Sequence, residues 1–425
     1  MPVMRRLALT LAFLALPLLA FQAPPKKDTT KPATKPAATK PQSTKGAAPA
    51  KGAVKPAAAE TTEQAPSGPS VYVAPFKGIW GLDIHPDLCK QLVEDIKSKK
   101  PDLVVFTLDS QDLKEGFYTA ERNEDGTGVF EDDSQRRMLK LLDEELRGTP
   151  TLMWVHDSWG FSTLMAFAFK DLYMKPNARL DGLGRIAERY GVEDPQVLAK
   201  FREAVVAIAN GWFEVGGYDI MIGRAMMRPE LKLSASWKGR DLVWSQDASG
   251  TWVVDGSEKA FAAFDAETAE DLGLADGSAS ELDELMFLRG FREYQLVMSE
   301  QDPKFGAGEK ISIDWTKAWN RAFDTAEQLW QESQSKLQLD AGKYTDLAKR
   351  NYEKIVEILE KNNAAYTKWR MTRHPSLDQL RDQIERWKQE QIARNKAKKD
   401  NQGGGGTGGG RGGRGFGSPG GPGGG

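Results

Sequence analysis

Hydroxyl side chains flank a sharp turn between a predicted strand and a predicted helix. Residues 151–155 are apolar and of strand length, the turn 156–160 follows, and apolar residues then recur every three or four positions, as in a buried helix. Ser158 and Ser162 lie two residues on either side of Gly160. Because free N–H groups at a helix N-terminus favour negative charge, such a turn could hold a serine nucleophile or an oxyanion-binding amide. An ordinary βαβ crossover has the same pattern.

The arrangement of the histidine and cysteine residues indicates packing rather than catalysis or metal binding. His156 and Asp157 are adjacent, and adjacent residues on a strand point to opposite faces, so they cannot simply pair with each other. The three histidines are far apart and lack the spacing of metal ligands, so the sequence predicts no metal and no cofactor. Cys89 is the single cysteine, which excludes an intramolecular disulfide, and its amphipathic helical surroundings predict core packing.

Strands and helices alternate around the turn. A strand candidate at 71–73 precedes a helical pattern at 85–99, and the apolar run 103–108 has the character of a strand buried on both faces. A second helical pattern at 136–146 leads into the strand at 151. This alternation predicts an α/β fold with a mostly parallel sheet.

The ends of the chain have the composition of export and linker segments. Arg5 and Arg6 precede an apolar run that predicts a secretory signal over 1–23, or an uncleaved anchor at the periphery of a membrane. Residues 24–70 predict a disordered Pro/Ala/Lys linker, and 396–425 a disordered Gly/Arg tail. The net charge of −2 predicts no nucleic-acid affinity. We therefore expect an exported, periplasmic or extracytoplasmic, protein.

Residues 312–395 have a helical rhythm. Aromatic and aliphatic residues recur there at spacings of three and four over three segments joined by short polar turns. This pattern predicts a helical hairpin or an oligomeric coiled coil, with Asn362 as a polar residue that would specify register.

Several phrases between 71 and 300 point to a known family. They are the strand ending at 104–109, the stretch 153–180, Gly217-Tyr218, and the run 264–277, FDAETAEDLGLADG. Together they resemble the Clp protease/crotonase superfamily, closest to its NfeD and signal-peptide-peptidase-A branch. The resemblance implies a ββα spiral, a homo-oligomer built on trimers, and the ancestry of a serine peptidase.

The resemblance also implies a degenerate active site. Active members use a serine at the head of the helix and a lysine base from a later helix, and the lysine must be neutral to take the hydroxyl proton. Counted back from Tyr173, the nucleophile position falls on Gly160, while Lys200 falls near the lysine position. The glycine pair of the oxyanion site is replaced by Ser110 and Gln111.

Two hypotheses follow. In the first, the protein is a pseudoenzyme that acts as an oligomeric scaffold or binds a peptide or protein segment in a cleft around Ser110, Gln111 and Gly160. In the second, it is an active peptidase with a displaced nucleophile, Ser162 or Ser158, and with Lys200 as the base.

Overall fold

The computed structural model describes residues 68–111, 121–122, 128–129, 132–185, 194–257 and 259–403. These residues belong to one of the two units into which the chain divides, 64–425. The predicted leader, nearly all of the predicted linker and the tail beyond 403 lie outside the described residues. The boundaries predicted for those segments therefore remain predictions.

The strands form one large sheet and two small ones. In chain order they are β1 (Ser70–Lys77), β2 (Leu103–Gln111), β3 (Glu121–Arg122), β4 (Gly128–Val129), β5 (Thr151–Trp159), β6 (Leu172–Met174), β7 (Arg179–Asp181), β8 (Leu233–Lys238), β9 (Asp241–Ser245), β10 (Trp252–Asp255), β11 (Phe264–Asp265), β12 (Gly277–Ser278) and β13 (Gln295–Leu296). Strands β8, β9 and β10 form an antiparallel sheet, and β3 pairs with β4.

The large sheet is mostly parallel. Its order is β13-β1-β2-β5, and beyond β5 it divides, because β6 and β7 pair with successive parts of the same edge of β5. Strand β12 continues from β6, and β11 continues from β7 as an antiparallel pair. The predicted α/β fold with a mostly parallel sheet is confirmed.

The helices cover the sheet and form the C-terminal part of the chain. They are α1 (Pro86–Lys99), α2 (Asp132–Lys140, followed by a π-helical turn over Leu141–Glu145), α3 (Ser162–Ala166), α4 (Pro195–Gly216), α5 (Ile220–Met227), α6 (Ala266–Asp271), α7 (Leu282–Leu288), α8 (Ala307–Glu360), α9 (Asn363–Met371) and α10 (Leu377–Gly403). Helix α10 extends beyond residue 396, where the sequence predicts the glycine-rich tail to begin. None of the helices within the described ranges is both long and apolar enough to cross a bilayer.

Apolar side chains bury both faces of the sheet. On one face the rings of Phe76 and Phe106 stack with their centroids 5.4 Å apart, in the core cluster that also contains the buried residues of α1. On the other face α7 covers the starts of the strands. The carboxyl ends of that second face remain accessible, since the side chains of Lys77 and Asp109 are 73% and 38% exposed. This uneven cover leaves polar residues in contact with solvent at one end of the sheet.

The long helix α8 is a hairpin that folds back at Asp340, where the backbone has φ −160° and ψ 94°. The Asn351 amide donates to Ser333 Oγ over 3.1 Å, and both residues are buried. Eighteen residues of straight helix would span about 27 Å, so this contact requires an antiparallel return. Of the two predicted arrangements, the structure has the helical hairpin. Asn351 occupies its seam, whereas the Asn362 amide donates to the Ile358 carbonyl within its own helix.

The turn between β1 and α1 fastens the hairpin to the sheet. The Asp83 carboxylate accepts hydrogen bonds from Ile79 N (3.0 Å), Thr316 Oγ1 (3.0 Å) and Trp319 Nε1 (3.3 Å). The Trp315 indole N–H donates to the Leu82 carbonyl over 2.8 Å. One carboxylate therefore closes its own turn and anchors the first arm of α8.

We expect Asp83→Ala to lower the free energy of unfolding by about 2–3 kcal/mol, because it leaves several donors without an acceptor. Urea unfolding followed by tryptophan fluorescence measures the change. Glu309→Ala, an exposed position on the same helix arm, is the control and should change stability by less than about 0.5 kcal/mol. Equal effects of the two substitutions would contradict the anchoring role.

His85 makes stability depend on pH. It is the N-cap of α1: its Nδ1 accepts from Asp87 N over 3.1 Å, and its ring stacks on Trp315. Burial lowers the pKa of His85 from 6.5 to about 4, and the nearby Arg137 also lowers it, while Asp87 opposes the shift. Because the folded pKa lies below the unfolded one, the unfolded state binds more protons within this window. The contribution of His85 to the free energy of unfolding is therefore fully present above pH 6.5 and is lost as the pH falls towards 4.

The loss attributable to His85 over that window is of the order of 3 kcal/mol. His85→Asn retains an N-cap acceptor that does not titrate, so the variant should lose less stability between pH 6.5 and pH 4. Denaturant midpoints at several pH values measure the slope. A slope identical to that of the wild type would show that His85 does not carry the pH dependence.

Candidate functional site

The predicted strand–turn–helix lies at the carboxyl edge of the sheet. Strands β2 and β5 end side by side, with Ser110 opposite Ser158 and Gln111 opposite Trp159. Gly160 then turns the chain with φ +79°, and its N–H donates to the Asp181 carbonyl over 3.0 Å. The strand is longer than its apolar run predicts, and α3 is only one short turn of helix.

The Ser162 hydroxyl is buried and bonded to the backbone. The residue has no exposed surface, and its Oγ donates to the Trp159 carbonyl over 3.0 Å, with the Ser110 carbonyl at 3.4 Å. The Ser110 hydroxyl, equally buried, donates to the Gly78 carbonyl over 2.7 Å. Both hydroxyls donate to backbone carbonyl groups at the end of the sheet, which need hydrogen-bond partners when buried.

Two further hydroxyls bind the neighbouring strand β7. Ser158 Oγ donates to the Arg179 carbonyl over 2.8 Å, and Thr163 Oγ1 donates to the Asp181 carbonyl, also over 2.8 Å. Sequence reasoning identified Ser158 but missed Thr163, although its position beside Ser162 was the available signal. The hydroxyl groups at this edge therefore join backbone segments rather than facing an ionisable side chain.

Lys200, the candidate base, is an exposed residue. It lies on the second turn of α4, whose N-cap is Asp194, and its side chain is exposed. A lysine base must be neutral, and burial is what favours the neutral amine. In the described part of the chain, no hydrogen bond joins Lys200 to Ser162. The structure thus places Ser110, Gln111, Gly160 and Ser162 at one edge of the sheet, while the side chain of Lys200 is exposed on α4.

Within the described residues, neither a metal centre nor a reactive thiol accompanies this edge. Across the residues that the structure describes, no three side chains among His, Cys, Asp and Glu come together as a possible metal site. Cys89 is fully buried on α1, as its helical pattern predicts, and burial raises the pKa of its thiol to about 12. The thiolate, which is the reactive form, is therefore suppressed at neutral pH.

Comparisons with known proteins give only a distant structural likeness. No protein-family model matches the sequence, and no curated protein matches it. Among solved structures, the membrane-bound stomatin-specific protease 1510-N, as a serine-to-alanine mutant, is 14% identical with a TM-score of 0.34, over 52% of this chain and 85% of that chain. A lysine-to-alanine mutant of the protease, in complex with a substrate peptide, is 13% identical with a TM-score of 0.34, over 52% of this chain and 80% of that chain.

A third structure, the 1510-N protease specific for a stomatin homolog from Pyrococcus horikoshii, is 12% identical with a TM-score of 0.32, over 52% of this chain and 79% of that chain.

The backbone around Gly160 is packed too closely to admit a side chain next to it. A Cβ atom on Gly182 would lie 2.6 Å from the Trp159 ring and 2.7 Å from Gly160 N, and Gly182 has φ +84°. Gly148 has nearly the same φ, +87°, but a Cβ atom there would meet nothing within 4 Å. Substitution of Gly148 therefore tests backbone strain alone, whereas substitution of Gly182 tests backbone strain together with steric contact.

We expect Gly148→Ala to cost about 1 kcal/mol through its positive φ, and Gly182→Ala to cost about 1–3 kcal/mol more through overpacking. Chemical denaturation of the two variants measures the difference directly. Equal losses would mean that the turn at Gly160 can move to accommodate a methyl group.

Proposed function

We propose that this chain is a non-proteolytic protein of the NfeD and Clp protease/crotonase kind, which binds a peptide or protein segment as an exported, homo-oligomeric scaffold. One observation carries the proposal: the hydroxyl of Ser162 is buried and donates to the carbonyl of Trp159. A serine nucleophile instead needs access to its substrate and a base that accepts its proton.

The acceptors around Ser162 oppose acyl transfer. A backbone carbonyl accepts a hydrogen bond but cannot take the proton away, so the oxygen gains no nucleophilic character from it. The carbonyl of Ser110 also directs a partial negative charge towards Ser162 Oγ. A tetrahedral intermediate would place an oxyanion close to this carbonyl, whereas catalysis requires donors at that position.

The topology of the sheet supports a spiral of repeated strand units. Strand β5 pairs with β6 and then with β7 along one edge, and each of these carries a further strand, β12 or β11. The carboxyl edge at Ser110, Gln111 and Gly160 is the cleft we propose for a bound segment.

Fluorophosphonate labelling tests the loss of peptidase chemistry. We expect the purified wild-type protein to show no covalent adduct by intact mass, because a buried hydroxyl without a base does not react with the probe. Ser162→Ala and Ser158→Ala serve as matched variants for the two displaced candidates, and each of the three proteins should give only its own unlabelled mass.

An adduct on the wild type that disappears in one of these variants would establish an active serine peptidase instead. In that case Lys200→Ala tests the base: it should abolish the adduct if Lys200 accepts the proton.

A further inference from the structure

The turn end of the helical hairpin has an excess of basic side chains. Beyond the seam contact between Ser333 and Asn351, the two arms of α8 continue to the reversal at Asp340. Residues 335–350 form this end, and they contain four basic and two acidic side chains. The turn end is therefore positively charged in a chain whose net charge is −2.

Helix α10 brings a second basic segment to the same end. Lys388 on α10 pairs with Glu353 over 3.7 Å, and Gln391 accepts a hydrogen bond from Lys349 over 3.0 Å. The later residue of α10 thus meets the earlier residue of α8, so α10 lies antiparallel to the second arm. At 1.5 Å per residue, residues 391–400 cover about the next 15 Å towards the reversal. They contain four basic side chains and one acidic side chain.

We call residues 335–350 and 391–400 together the basic tip. The basic tip contains eight basic and three acidic side chains, a net charge of +5, whereas the whole chain has a net charge of −2. Its basic residues are Lys336, Lys343, Lys349, Arg350, Arg394, Lys396, Lys398 and Lys399. Six of these eight residues are exposed, so their charges act on the surrounding solvent.

Carboxylates of the chain compensate little of this charge. Among the ion pairs formed by the described residues, one involves the basic tip, between Arg394 and Glu390 at 3.5 Å. The Asp340 carboxylate accepts a hydrogen bond from the backbone N–H of Lys343 over 3.1 Å, so it caps the second arm of α8. The basic tip therefore presents several ammonium groups without a counter-ion in the described part of the chain.

Exposed apolar and aromatic side chains accompany these charges. Leu339 directly precedes the reversal and is 72% exposed, and Ile392 on α10 is 60% exposed. The Tyr344 ring contacts two ammonium groups, since its centroid lies 5.5 Å from Lys336 Nζ and 5.2 Å from Lys343 Nζ. Lysine and arginine side chains combined with exposed leucine, isoleucine and tyrosine are typical of protein surfaces that lie at a membrane–water interface.

We propose that the basic tip docks on the surface of a bilayer that contains anionic phospholipids, with its lysines at the level of the phosphate groups and Leu339 in the interfacial layer. The negative surface potential of such a bilayer attracts each basic side chain that comes within a Debye length of it. Burial of Leu339 at the boundary of the acyl chains adds a hydrophobic contribution. The inference goes beyond the proposed function, because it concerns the helical hairpin rather than the carboxyl edge of the sheet.

The side chains of the basic tip favour a bilayer over a nucleic acid. A nucleic acid would neutralise the lysines through its phosphates, but its charged backbone would leave Leu339 and Ile392 in water. An anionic bilayer accepts both kinds of side chain, since its phosphates lie directly above an apolar layer. The negative charge of the rest of the chain also opposes association with a long polyanion.

Vesicle flotation of the full-length protein tests the proposal. Association is measured with vesicles of phosphatidylcholine alone and with vesicles that also contain about 30% phosphatidylglycerol. We expect saturable association with the anionic vesicles, much weaker association with the neutral ones, and a large decrease when the salt concentration rises from about 0.1 M to about 0.5 M. The predicted leader is the same in every variant, so differences between variants report on the basic tip.

Lys343→Gln combined with Lys398→Gln removes one charge from each element of the basic tip and should weaken association with anionic vesicles at least about tenfold. Lys317→Gln combined with Lys354→Gln is the matched control. These two lysines are exposed on the same hairpin but lie outside the basic tip, and the control changes the net charge by the same amount. It should associate as the wild type does, and an unchanged helical circular dichroism spectrum shows that each variant is folded.

Leu339→Ser tests the apolar contribution and should weaken association with anionic vesicles several-fold. Phe287→Ser, at an exposed apolar position on α7, is its control and should have no effect. Equal association of the wild type with both kinds of vesicle, or equal losses in the two double variants, would overturn the proposal. Binding to duplex DNA that Leu339→Ser leaves unchanged, without association with vesicles, would assign the basic tip to a nucleic acid instead and would also overturn it.

Discussion

The hydroxyl of Ser162, held by backbone carbonyls, is the interaction on which the carboxyl edge of the sheet depends. An unpaired buried carbonyl is costly, and backbone carbonyl groups at this edge accept hydrogen bonds from side-chain hydroxyls. Ser162, Ser110, Ser158 and Thr163 supply these donors. The same bonds that close the edge use the protons of these hydroxyls, so the local architecture and serine chemistry compete for the same groups.

The helical hairpin is continuous with this edge through one short turn. The Gly78 carbonyl accepts a hydrogen bond from the Ser110 hydroxyl, and the Gly78 N–H donates to the Asp109 carbonyl. A Cβ atom on Gly78 would lie 2.5 Å from the Asp83 carboxylate, which in turn accepts hydrogen bonds from Thr316 and Trp319 of α8. The hairpin and the sheet edge therefore share a rigid connection, and a segment bound at either place would act on the same turn.

Sequence patterns predicted the elements better than the contacts between them. The apolar runs located β2 and β5, and the helical rhythm located the C-terminal hairpin, because burial determines which residue types occupy such positions. The apolar periodicity predicted a longer helix than α3, because Phe167 and Phe169 are buried in a turn rather than in a helix. It also assigned the polar seam position to Asn362, whereas Asn351 occupies the seam of the hairpin. The partners of Ser162 depend on pairing between distant strands, which a single sequence does not encode locally.

Two polar regions at the carboxyl end of the sheet differ in how their buried polar groups are hydrogen-bonded. At the edge around Gly160, each buried hydroxyl has its acceptor within the chain, which is the condition of a structural group. On the second face of the sheet, His156 Nε2 has no partner and Lys175 has no counter-ion among the described residues. Unpaired polar groups on this face cost stability, because a partly satisfied polar site is less stable than an apolar one.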